Sequence, residues 1–188
     1  MGEKLNFSKR LFLVTGICPP IYICRMQLQT VTIRPINEND NSAIAVIIRN
    51  SLQEFRANHP GTVYYDESTD RLSEVFKADG SFYFVAEVEG ELMGGAGIYP
   101  TEGLPENFCE LVKIYLSPNS RGFGLGKKLM KKCLDTAKVN GYKKVYLETM
   151  PELVKAVPMY EKFGFKYLKG PMGNSGHSGC SLWMLKEL

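Results

Sequence analysis

Arg121-Gly122-Phe123-Gly124-Leu125-Gly126 follows an extended apolar run, Phe108 to Leu116, and opens a stretch with apolar positions at Leu125, Leu129, Cys133, Leu134 and Ala137. The spacing predicts a long strand, a tight glycine loop and an amphipathic helix from Gly124 to about Asn140. Glycines at alternate positions let the backbone approach a ligand without a Cβ in the way. The helix aims its unpaired N–H groups, and the positive end of its dipole, at the same spot. A phosphate or pyrophosphate suits that spot.

Two common phosphate-binding patterns fail on their residues. A Walker A loop needs Gly, four residues, then Gly-Lys and Ser or Thr. Here Lys128 follows Gly126-Lys127, and Arg121 stands where the first glycine belongs. A dinucleotide fingerprint needs a third glycine at position 127, which is Lys.

The run resembles instead the pyrophosphate loop of the GNAT superfamily, the acetyl-CoA-dependent N-acetyltransferases. That pattern is Arg or Gln, two residues, Gly, one residue, then Gly or Ala, filled by Arg121, Gly124 and Gly126. The lead-in Ile114-Tyr115-Leu116-Ser117-Pro118 is similar to the family's strand-to-loop exit. Ala156-Val157-Pro158-Met159-Tyr160-Glu161-Lys162-Phe163-Gly164-Phe165 resembles its Ala-x-x-x-Tyr-x-x-x-Gly-Phe segment. The resemblance covers about Val31 to Leu188. It extends to a subgroup with Glu-Leu-Val-Lys before the loop, here Glu110 to Lys113, and a Gly-Asn-x-Gly-His-x-Gly-Cys stretch, here Gly173 to Cys180.

The resemblance implies a single GNAT-type domain that moves an acetyl group from acetyl-CoA directly to a primary amine, of a small molecule or a protein. It implies that the central strand and the Lys144–Thr149 strand are parallel and splay apart, with the cofactor in the gap. The backbone of Ile114, Tyr115 and Leu116 would hold the pantetheine arm. Arg121, Gly122, Phe123, Gly124, Leu125, Gly126 and Lys127 would form the phosphate site. The matching helix tyrosine, Tyr160, would reach the CoA sulfur. A phenol suits protonation of a departing thiolate; the other role open to Tyr160 is a core tyrosine beside Phe163 and Phe165. His177 would position the acceptor amine or relay its proton. Many family members carry Asn where this chain has Leu153, so one cofactor hydrogen bond is missing or replaced, by Thr149 or by backbone. The rival reading keeps the fold without the chemistry, as an acyl-CoA-binding sensor or interaction module.

Glu110 is a carboxylate inside an apolar strand, costly to bury unpaired. Alternation puts it on one face with Val112, Ile114 and Leu116. It is either the base that receives the amine proton or one half of a strand-end salt bridge with Lys113. Lys127, Lys128, Lys131 and Lys132 crowd the start of the loop helix against its dipole. Arg121 and Lys127 are the candidates for phosphate contact, and the others read as a solvated face.

The chain has 188 residues, enough for one domain with a sizeable core. Net charge is +3, and Lys4, Lys9, Arg10 and Arg25 against Glu3 account for all of it. The rest of the chain balances, which excludes a general nucleic-acid surface. Five cysteines lack Cys-x-x-Cys spacing. That pattern points to reduced thiols in a cytoplasmic protein, not to a disulfide framework or a metal site. Leu11 to Cys18 is apolar behind Lys9-Arg10, but Pro19-Pro20 interrupts it and it is too short to span a bilayer. Residues 1–25 read as an N-terminal extension, added ahead of a natural start at Met26 or poorly ordered, and 26–188 as the acetyltransferase domain.

Patterning predicts an α/β fold with a mixed, mostly antiparallel sheet flanked by helices. Strands are expected at Val31–Arg34, Phe82–Val88, Leu92–Tyr99, Phe108–Leu116, Lys144–Thr149, Phe165–Leu168 and Ser181–Leu185. Gly94, Gly95 and Gly97 suggest a bulge or close backbone contact. A helix capped by Asn39 or Asp40 carries Ile44, Ile48 and Leu52, a second runs from Ser68 to Ala78, and the last starts at Pro151 and is kinked by Pro158.

Overall fold

The computed structural model describes residues 29–188, so the proposed extension at residues 1–25 lies outside the described residues. Seven strands form one sheet: β1 Val31–Pro35, β2 Phe82–Val88, β3 Glu91–Tyr99, β4 Phe108–Leu116, β5 Lys144–Thr149, β6 Lys166–Tyr167 and β7 Leu182–Glu187. Their spatial order is β1-β2-β3-β4-β5-β7-β6. All neighbours are antiparallel except β4 and β5.

Helices cover both faces: α1 Asn41–Glu54 and α2 Leu72–Val75 on one, α3 Leu125–Val139 and α4 Val157–Lys162 on the other. Alternation in β2 serves both layers. Phe84, Ala86 and Val88 pack with Leu125, Leu129 and Cys133 of α3. Tyr83 and Val85 pack with Ile44, Ile48 and Leu52 of α1. The sheet is therefore buried on both sides, and removing the α1 or α3 stripe exposes half of the core.

Local chemistry adjusts several expected boundaries. The helix entry is capped by Asn37, which accepts from Asn39 N at 2.9 Å while Asp40 accepts from Asn37 N at 2.8 Å. This capping box starts a short 3-10 turn that leads into α1. The β2–β3 turn is two residues, Glu89 and Gly90, both at positive φ (51° and 81°), which matches the twist of a tight hairpin. The last helix starts at Val157, not at Pro151; Pro158 occupies its first turn and kinks nothing.

β3 carries a bulge at Met93, beside Gly94, as its glycines suggested, and a second bulge, the one that shapes the site, lies on β4. Gly95 pairs with Tyr115 and Gly97 with Val112, so Lys113 and Ile114 together oppose Ala96. Lys113 takes φ +49°, a left-handed conformation that non-glycine residues rarely adopt. Its carbonyl accepts from Tyr83 Oη at 3.0 Å. The extra residue reverses side-chain parity. Cys109, Leu111, Ile114 and Leu116 face the α3 layer, while Glu110 does not share their face. The expected grouping of Glu110 with Ile114 and Leu116 is corrected accordingly. The glycines of β3 serve close approach: a Cβ on Gly95 would stand 2.5 Å from the Tyr83 ring.

Candidate active site

The β4–β5 ladder holds only at Phe108–Lys144, Cys109–Val145 and Glu110–Tyr146. β4 runs on to Leu116 while β5 stays with β7 to its end at Thr149. The two parallel strands therefore diverge after Glu110, leaving a strand edge without a partner beside the glycine loop. A groove of about 290 Å3 opens there, walled by Ile114, Tyr115, Leu116, Ser117, Gly122, Gly124 and Gly126, with Ser51 and Glu54 of α1 and Phe55 just after it opposite.

Gly124 caps α3 at φ +66° and Gly122 stands at φ +92°, with no atom within 4 Å of where either Cβ would be. The first helical bond runs from Lys128 N to Gly124 O at 3.2 Å. The amides of Leu125, Gly126 and Lys127 precede that ladder, and no side chain caps them. This is an open cradle of backbone donors at a helix N-terminus, the geometry that receives a phosphate.

Of the expected phosphate contacts, Arg121 lines the groove but its guanidinium pairs with Glu54. Lys127 is exposed and does not line the groove. Phe123 turns to the core instead. Lys131 pairs with Asp135 at 2.6 Å and Lys132 sits 4.9 Å over the Phe84 ring, consistent with a solvated face. The cation that sequence reading missed at the groove is Lys155, 5.7 Å over Phe55.

Ile114, Tyr115 and Leu153 lead from the groove into a small cavity of about 40 Å3. Glu110, Glu148, Thr149, Tyr160, His177 and Cys180 line it. Tyr160 is 4% exposed, and burial pushes its phenol above the ordinary tyrosine value. Thr149 offsets this in part by its nearness, yet Thr149 Oγ1 is buried without a hydrogen-bond partner among the described residues. Phe165 meets the Tyr160 ring edge-on at 6.1 Å. Burial lifts the Cys180 thiol to about 12, which leaves it no nucleophilic thiolate at neutral pH.

Glu110 is 3% exposed, and Thr101 Oγ1 donates to its Oε2 at 2.5 Å. Burial raises its pKa to about 7, the Thr101 bond opposing and Glu148 adding to the rise. The expected Lys113 salt bridge does not form. Lys113 Nζ stands 2.5 Å from Asp66 Oδ2 instead, because the bulge turns it toward the segment after α1. His177 Nε2 lies 3.7 Å from the same oxygen. Together His177 and Lys113 hold Asp66 well below the usual carboxylate range, while burial lowers the Lys113 ammonium.

These groups border a further cavity of about 430 Å3, with Phe76, Tyr99, Glu102 and Ser175 on its other walls. The Gly173–Cys180 segment closes one side. Gly179 N donates to Gly61 O at 2.9 Å, and a Cβ on Gly61 would collide with Ser178 Oγ at 2.5 Å. The His59-Pro60-Gly61 turn thus seats the His177 loop, a long-range contact with no local sequence signal. Among the described residues no cluster of three or more His, Cys, Asp and Glu side chains could hold a metal ion, and no helix is long and apolar enough to cross a membrane.

Splayed parallel strands, a glycine cradle and a buried tyrosine thus border one connected set of cavities. The family model described as acetyltransferase (GNAT) family matches residues 47–165, and the chain belongs to that family. It is an acyltransferase. An uncharacterised N-acetyltransferase of Escherichia coli K12, YjgM, is 38% identical over 161 residues, covering 85% of this chain and 96% of the relative. Two solved structures share the fold. A GNAT-family acetyltransferase of Staphylococcus aureus superposes with TM-score 0.74 at 18% identity, covering 84% of this chain and 99% of that one. YncA of Salmonella typhimurium, solved with its cofactor acetyl-CoA, superposes with TM-score 0.66 at 21% identity, covering 84% and 94%.

Proposed function

We propose that the protein transfers the acetyl group of acetyl-CoA directly to a primary amine, with the groove as the CoA site and the Glu110–His177 cavity as the acceptor site. The observation that carries this reading is the continuity of three spaces. The glycine cradle, the small cavity beside Tyr160 and the larger cavity beyond Glu110 share lining residues in that order. A long thioester laid along the first would present its acyl carbon in the second to an amine entering from the third.

The residues present suit that ligand. Amides of Leu125, Gly126 and Lys127 would take the diphosphate. The unpaired edge of β4 at Ile114 to Leu116 would bond the pantetheine amides. Arg121 would exchange Glu54 for phosphate, a bidentate partner that suits guanidinium.

The proton bookkeeping closes with two side chains. Glu110, with a pKa of about 7, takes one proton from the acceptor's ammonium at neutral pH, so that the neutral amine can attack the acyl carbon. Tyr160, kept protonated by burial, gives its proton to the sulfur as the C–S bond breaks, and the second proton lost by the nitrogen restores the phenol. His177 orients the acceptor from the glycine-rich loop. Glu110 to Lys113 and Gly173 to Cys180, the two stretches that resemble one subgroup, meet at this cavity.

The test is thiol release from acetyl-CoA across a panel of primary amines, with CoA binding measured in parallel. Amine-dependent release is expected. Binding of CoA with no release above background hydrolysis would favour the acyl-CoA sensor reading.

A further inference from the structure

We infer that the acceptor is a cationic amine carrying no carboxylate near its reacting nitrogen, and that Glu148 together with Glu110 selects it. This rests on the transfer reading above and narrows its acceptor. The two carboxylates stand on β4 and β5 where those strands part, and both line the small cavity.

Neither carboxylate has an ion-pair partner among the described residues. Glu110 accepts from Thr101, and Glu148 accepts from Tyr146 Oη at 2.7 Å and Ser175 Oγ at 2.8 Å. All three donors are neutral hydroxyls, which orient the carboxylates and leave negative charge uncompensated. The neighbouring basic groups are engaged: Lys113 Nζ at 2.5 Å and His177 Nε2 at 3.7 Å both face Asp66. A carboxylate on the acceptor would therefore find no free cation here.

A separate observation marks the cavity as a binding place. Thr149 Oγ1, in the same lining, is buried with no partner among the described residues. An unsatisfied buried hydroxyl is costly, and the cost is removed when a polar ligand reaches it. The larger cavity beyond adds Glu102, beside the internally balanced Asp66–Lys113 pair and the apolar rings of Phe76 and Tyr99. An ammonium entering there meets two carboxylates, while an anionic group is repelled by them.

Calorimetry on the CoA-loaded protein at neutral pH tests this with two probes of one chain length, putrescine and γ-aminobutyrate. Putrescine is expected to bind at least ~10-fold more tightly. Glu148→Gln should collapse that preference toward unity. Ser175→Ala, which frees the same carboxylate of one hydrogen bond but keeps its charge, should preserve it. The inference is overturned if γ-aminobutyrate binds as tightly as putrescine, if neither binds, or if a folded Glu148→Gln variant keeps the preference. Should Glu148→Gln melt early, the wild-type comparison decides alone. Failure of the transfer reading is seen separately, as absence of thiol release while the binding preference stands.

Discussion

Tyr160 and Glu110 are buried polar groups in a cavity large enough for little more than a reacting centre, and each yields a distinct expected outcome. Tyr160→Phe removes the proton for the sulfur but keeps the ring against Phe165. Turnover should fall ~100-fold or more with CoA affinity unchanged, read by steady-state kinetics beside calorimetry. Glu110 should give the rate a rising limb near its pKa of about 7, and the limb should vanish in Glu110→Gln. The same group links pH to stability. Its folded pKa lies above the ordinary value of 4.5, so between those pH values the native state holds the extra proton. Stability then falls as pH rises through that window. Glu110→Gln should therefore be the more stable protein above pH ~7, by at most about 3 kcal/mol, while losing activity. Equal melting curves of the two at alkaline pH would contradict the buried-acid description.

At the scale of the element, the glycine loop and the bulge position everything else. Gly124→Ala meets no atom, so its cost is conformational: about 1 kcal/mol for the left-handed residue, with weaker CoA binding as the cradle shifts. Thermal melts and calorimetry on the one variant read both. Asp66→Asn leaves the Lys113 ammonium buried beside the bulge, and breaking such a pair costs on the order of 3 kcal/mol. The β4 strand and α3 were legible because a continuous apolar run, a glycine cluster and a helical stripe are local signals. The bulge was not, since its left-handed residue is Lys113 where glycine would have announced it. Pro151 resembled a helix start, yet the chain turns twice before Val157, and only the placement of Tyr160 against the sheet shows why. Glu148 and Asp66 were invisible as site residues because what matters is a partner many residues away, and Thr149 was reached only through the family resemblance, since its lack of a partner has no local signal.

For the whole molecule, the candidate site lies at one break in an otherwise continuous sheet. β7 enters between β5 and β6 and pairs with β5 along its full length, while the β4–β5 ladder ends at Glu110. That insertion is a long-range choice that periodicity cannot reveal; the family resemblance, carried by Arg121, Gly124, Gly126 and Tyr160, was what implied the splay. The gap brings the glycine cradle next to the cavity lined by Tyr160 and Glu110. The central claim is that the amides at the start of α3 hold the diphosphate of CoA. Titration calorimetry of the folded protein with CoA and with 4′-phosphopantetheine, which lacks the diphosphate, tests it most directly. One-site binding of CoA, at least ~10-fold tighter than the fragment, is the expected result. No heat with CoA, or equal affinity for the fragment, would contradict it.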